Sequence, residues 1–133
     1  MPSNQIRLII KALQEFAERK VKGLTLDLTT ILLQTTPIDT GFARANWIPS
    51  IGVDNQNLAG TKAQADAGTL DRAPQQNGLA EVATSYTLGQ GRVYVSNNVP
   101  YITRLNDGSS QQAPAGFVQD AILRAVALAE VKP

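Results

Sequence analysis

Asp39-Thr40-Gly41 is the first place in this chain where residue types and spacing invite chemistry. Asp-Thr-Gly is the tripeptide with which aspartic proteases set two carboxylates close enough to share a proton. A homodimer would supply both aspartates, one from each copy. The surroundings argue against that use. Those enzymes place the tripeptide after an apolar strand that lines a cleft. Here Thr35-Thr36-Pro37 precedes it, directly after a helical pattern, and no later apolar strand ends in glycine to brace the loop. The plainer reading is a turn in which Asp39 caps local backbone donors and Gly41 supplies a positive φ.

Other combinations are weaker. Gly89-Gln90-Gly91 stands before a strand pattern, lacks a third glycine and has no Lys-Ser or Lys-Thr after it, so it reads as a turn and not a phosphate loop. Asp54, Asp66, Asp71, Glu81 and Asp107 show no metal-loop spacing. The run DNQNLAG offers two early oxygen donors but no later glutamate, which a calcium loop needs. The chain has no cysteine and no histidine. Disulfides, thiolate metal sites and the commonest neutral-pH general base are therefore excluded. No catalytic residue, cofactor-binding residue or metal ligand is expected. Arg44, Arg72, Arg92, Arg104 and Lys62 lie outside the N-terminal helical pattern. They read as solvated surface; alternatively a symmetric ring would gather Lys62, Arg72 and Arg92 around passing DNA. Trp47, Tyr94 and Tyr101 lack the basic interleaving of a base-stacking platform and read as core or interface anchors.

The elements that must position these residues come from 133 residues carrying 12 basic and 11 acidic side chains. That length fits one domain with a useful core. The near-neutral balance provides no overall field for gripping nucleic acid. With seven aromatic residues, the core must be mostly aliphatic. No stretch reaches the roughly 18 apolar residues of a membrane span, and the N-terminus lacks a signal-peptide layout, so a soluble protein is expected.

Ser3 is a plausible N-cap for one long amphipathic helix over 3–34. Ile6, Ile9, Ile10, Leu13, Phe16, Ala17, Val21, Leu24, Leu28 and Ile31 recur at three-and-four spacing. At ~1.5 Å per residue it would be on the order of 45 Å long, more than a small sheet can cover. Part of its stripe is therefore expected to face a neighbouring subunit. A strand follows over 42–53, with Pro49 placing it at an edge or a bulge. Residues 54–78 are poor in large apolar residues and read as a long mobile loop, or as an arm ordered by a partner. A short helix over 79–88 and a strand over 91–97 come next. Residues 98–113 read as a structured turn, and 114–130 as a helix opened by Pro114. The expected fold class is α+β: two long helices on a small, mostly antiparallel sheet, with a long loop or arm in the middle.

Two segments, taken in order, resemble the neck or tail-completion family of tailed bacteriophages. The first is Pro37-Ile38-Asp39-Thr40-Gly41 with Arg44 and Trp47 following. The second is VYVSNNVPYITRLNDGSSQQAPAGFV, which looks like that family's strand, Asn-Asn, Pro-Tyr, a turn ending in glycine, and an Ala-Pro-Ala-Gly lead into the last helix. Its matching residues are Asn97, Asn98, Pro100, Tyr101, Gly108, Ser109, Gln111, Ala113, Pro114 and Gly116. Residues 54–78 match nothing in the pattern.

The resemblance implies a structural virion protein, not an enzyme. Such proteins form six- or twelve-fold rings in the neck, which complete the tail or join it to the head around the DNA channel. A tail terminator or head-closure ring of the same connector is the alternative, and an Asp39-based protease-like enzyme a remote one. Implied partners are further copies, connector proteins on the portal-adaptor or head-closure side, terminator or tube proteins on the tail side, and DNA held non-specifically, with no membrane. Assembly in the host bacterial cytoplasm is implied. Tyr101, Ile102 and Leu105, set among turn residues, would meet a neighbour or seat under the sheet.

Overall fold

The apolar stripe at the N-terminus folds as one helix, α1 (Asn4–Thr35), in the computed structural model, which describes residues 3–37 and 41–133. Ser3 caps it, its hydroxyl oxygen accepting the Ile6 N–H at 3.2 Å. Thr25, Thr29 and Thr35 donate their hydroxyls to the carbonyl four residues back, which satisfies polar groups facing the body. The helix stops at Thr36, whose backbone is extended because the next residue is Pro37. Gly23 does not interrupt it, and a Cβ there would meet nothing within 4 Å. Gly23→Ala is therefore expected to raise stability by about 1 kcal/mol, read as a higher urea midpoint at unchanged slope. An unchanged or lower midpoint would refute it.

Gly41 turns the chain in the left-handed region at φ 79° and opens a single helical turn, α2 (Phe42–Ala45). Strand β1 (Ile48–Ile51) follows. The expected strand over 42–53 is thus shorter and preceded by a helical turn, because Phe42, Ala43 and Ala45 are all buried and periodicity cannot show over four residues. β1 pairs antiparallel with β2 (Val93–Ser96), Ile48 opposite Ser96 and Ile51 opposite Val93. These two strands form the whole sheet among the described residues.

The stretch 54–78 is not an arm. It folds onto the body through α3 (Lys62–Asp66) and the first half of α4 (Ala73–Ser85), burying Ala59, Ala65, Gln75 and Gly78. Thr61 and Gln64 close a capping box on α3: the Thr61 hydroxyl accepts the Gln64 N–H, and the Gln64 side chain accepts the Thr61 N–H. The helix expected over 79–88 begins at Ala73 instead. Pro74 suits a first turn, and Leu88–Gln90 is a separate 3₁₀ turn. The expected turn over 98–113 contains a short helix, α5 (Ile102–Asn106).

The last helix, α6 (Phe117–Val131), starts three residues later than Pro114 would allow. Gly116 sits at φ 78° as its N-cap, and Asn106 reaches across from α5 to accept the Val118 N–H at 2.9 Å. α6 runs back along α1 and turns Ala121 and Ala125 toward the core, both with no exposure. Ile31, Leu32, Trp47, Ala113 and Phe117 complete this main core, with Val95, Ile102 and Leu105 packed on it. Phe42, Ala65 and Val99 form a second cluster, bordered by Leu70, Tyr101 and Ile102. The fold is α+β, with α1 and α6 packed together beside a two-stranded antiparallel sheet.

Candidate functional site

The two sequence segments that carry the family resemblance lie some fifty residues apart, and the fold brings them into one junction at the end of α1. Arg44 turns back over that end. Its Nε donates to the Thr36 carbonyl at 2.9 Å and its terminal nitrogen to Gln34 at 3.4 Å. A cation there complements both the last carbonyls and the negative end of the helix dipole. Trp47 is buried, and its indole N–H donates to the Thr36 hydroxyl at 2.8 Å. That hydroxyl in turn donates to Leu32 at 2.5 Å. Pro37 and Gly41 are buried beside them. Asp39 and Thr40 lie outside the described residues, as does any geometry of a paired-carboxylate site.

The second segment closes on the first through its asparagines. Asn97 donates to the Ala43 carbonyl at 2.9 Å and accepts the Val99 N–H at 3.1 Å. Asn98 donates to Asn55 at 2.7 Å, which ties down the start of the 54–78 stretch. Ala113 inserts into the main core beside Trp47, while Pro100, Gly108, Ser109, Gln111 and Pro114 are exposed around the turn. Gly108 (φ 98°) and Gly116 (φ 78°) hold conformations that only glycine adopts readily. Tyr101, Ile102 and Leu105 are half-buried against the two apolar clusters. Packing within one copy accounts for their apolar character without a neighbour.

Two further residues complete the junction. Asn46 is 1% exposed; it donates to Phe42 at 2.9 Å and accepts the Ala59 N–H at 2.7 Å. Gln75 is 4% exposed and donates to the carbonyls of both Arg44 and Trp47, at 2.8 and 3.0 Å. Neither was singled out from the sequence. The available signal was a polar residue set between Ala45 and Trp47 for Asn46, and a helical phase starting at Pro74 for Gln75.

Among the described residues, no buried side-chain nitrogen or oxygen lacks a hydrogen-bond partner. No group of three or more acidic residues is placed to hold a metal, and no helix is long and apolar enough to cross a membrane. The junction therefore works as polar glue, fixing two loops and a helix end against each other. The basic residues divide. Lys62 and Arg72 flank Gly41: Lys62 lines a recess of about 220 Å³ with Gly41 and Tyr101, and the Arg72 guanidinium lies close to Gly41. Lys62 also pairs with Asp66 at 3.3 Å on the exposed face of α3. Arg92 sits at the far end of the sheet, beside Val21 and Tyr86. The three do not form one patch.

No family model, no curated protein and no solved structure matches the chain.

Proposed function

We propose that this chain is a structural protein of the neck of a tailed bacteriophage, forming a ring that completes the tail or joins it to the head around the DNA channel. The observation that carries the reading is the meeting of the two family-like segments in one hydrogen-bonded junction. The first segment leads into β1 and the second contains its partner β2, and both settle at the end of the same helix. Arg44, Trp47, Asn97 and Ala113 each have a role there that a spaced signature would preserve. In this reading Tyr101, Ile102 and Leu105 support the junction from within. Lys62 and Arg72, close together and exposed, are the basic residues best placed to face DNA in a ring; Arg92 belongs to another face. The ring would hold six or twelve copies between connector proteins on the head side and terminator or tube proteins on the tail side. A terminator or head-closure ring of the same connector is the neighbouring reading.

Infection with the gene deleted is expected to yield DNA-filled heads and separate tails. Adding purified wild-type protein, or Asp39→Asn protein, should restore joining in the extract. Virions that lack the protein yet infect normally would defeat the reading. Loss of joining in Asp39→Asn, with the fold intact, would favour chemistry at that carboxylate instead.

A further inference from the structure

The N-terminal half of α1 projects beyond the body. The last anchors from the body fall near its middle. Glu18 accepts the Leu88 N–H at 3.3 Å, and Lys20 donates to the carbonyls of Ala129 and Lys132 at the end of α6. Lys132 pairs with Asp27 at 2.7 Å. Upstream, every residue from Ser3 to Phe16 is exposed. At ~1.5 Å per residue, Asn4–Phe16 forms a bare rod of about 20 Å.

This rod is apolar along one side. Ile6, Ile9, Ile10, Leu13 and Phe16 are 45–62% exposed. They continue the face on which Leu24, Leu28 and Ile31 are covered by the core. Ile6, Ile9, Leu13 and Phe16 are spaced three, four and three apart, the seam of a coiled-coil contact. Lys20 stands where the stripe passes from covered to bare.

We infer that the rod docks against the same rod of a second copy, antiparallel, with Ile6 facing Phe16 and Ile9 facing Leu13 of the other chain. Length supports this occupant, because each rod is as long as the track it must cover and each body acts as a stop. Direction follows from α6. It occupies the seam face of α1 from Lys20 onward, so a parallel pair would drive two α6 helices into one seam. An antiparallel pair keeps both bodies clear, with the second rod continuing the track that α6 leaves. Charge is compatible. On one flank Gln5 meets Arg19 of the other copy and Ala12 meets Ala12, and on the opposite flank Ile10 meets Ile10. Arg7, Lys11, Gln14 and Glu15 point away from the seam, so no like charges confront each other across it. The five side chains expose roughly 500 Å² of apolar surface, as large as the biggest patch on an ordinary monomer. Pairing would bury roughly 1,000 Å² in all, in the range of weak or transient interfaces. A weak dimer, populated at high protein concentration, is therefore expected. A two-fold contact cannot join neighbours around a ring with distinct head and tail faces, so this pairing describes the free protein before assembly, and its failure leaves the neck reading standing.

The chain has no cysteine, so introduced ones report alone. Sedimentation of wild-type protein should show a dimer at about 100 µM. Leu13→Glu should be monomeric at that concentration, with a melting curve that matches wild type in dilute solution where both are monomers, since Leu13 is 62% exposed. A short bismaleimide should join Gln5→Cys to Arg19→Cys in a mixture, with little product from either alone. A monomeric wild type, a Leu13→Glu dimer, or crosslinking of Gln5→Cys to Ala127→Cys in the groove between α1 and α6 would each overturn the assignment. So would a monomer whose rod binds anionic vesicles.

Discussion

Replacing Gly78 by alanine is expected to lower stability by about 3 kcal/mol, although alanine is the better helix former. Gly78 lies in the middle of α4, where that helix packs directly on β1. A Cβ at this position would fall 2.3 Å from the Pro49 carbonyl oxygen and 3.2 Å from the Pro49 carbonyl carbon. Both are backbone atoms of the strand and cannot rotate away. To make room, α4 must move off β1 by roughly 1 Å, a strain that a close-packed interior transmits to its neighbours. It carries Gln75, which bonds the Arg44 and Trp47 carbonyls, and Val82, which is 1% exposed. The strain therefore reaches the junction as well as the sheet. Gly23→Ala is the control of opposite sign, the same exchange on a helix with open space beside it. Thermal melting should place Gly78→Ala roughly 10 °C below wild type. A variant as stable as wild type would mean that α4 does not rest on β1 so closely.

Gly78 also shows where sequence reasoning stops. Helix α1 is legible from its periodic stripe and Ser3, and β2 from the alternation of Val93 and Val95, because Leu24, Leu28, Ile31 and Val95 carry the contact with the core. The front half of α4 was not. Its inward residues there are Gln75 and Gly78, one chosen for two hydrogen bonds and the other for having no side chain. Such positions look like loop to any reading based on hydrophobic spacing. For α3 the signal existed: Thr61 and Gln64 stand at capping-box spacing, and the box forms. At the start of α6, Pro114 was a reasonable opening residue. The core needs Ala113, and Gly116 then turns the chain, so the helix begins later.

The junction was half legible. Its apolar and glycine positions could be named from the two segments, but the bonds could not. Arg44 acts eight residues back on Thr36, and Asn97 acts across to Ala43. These are long-range satisfactions of backbone groups, which pattern alone does not pair. Tyr101, Ile102 and Leu105, read as meeting a neighbour or seating under the sheet, are half-buried against the two apolar clusters. The apolar residues left exposed along one stripe are on the bare half of α1.

Trp47→Ala is expected to be the most damaging single exchange in the junction, costing about 4 kcal/mol. The indole is 6% exposed and sits in the main core with Leu32, Ala113 and Phe117. Truncation leaves a cavity there and removes the donor to the Thr36 hydroxyl. That hydroxyl keeps its own bond to Leu32, so the polar loss is partial and the cavity dominates. Trp47→Phe separates the two contributions. It keeps most of the volume, loses the N–H, and should cost about 1–2 kcal/mol. Because Trp47 is the sole tryptophan, unfolding of both variants is best followed by circular dichroism in urea. If the phenylalanine variant lost as much as the alanine one, the hydrogen bond and not the packing would hold the end of α1. In the neck reading, Trp47→Ala should also fail to rescue joining at 37 °C while Trp47→Phe succeeds, since only the first removes a large share of a typical domain's stability of about 5–15 kcal/mol.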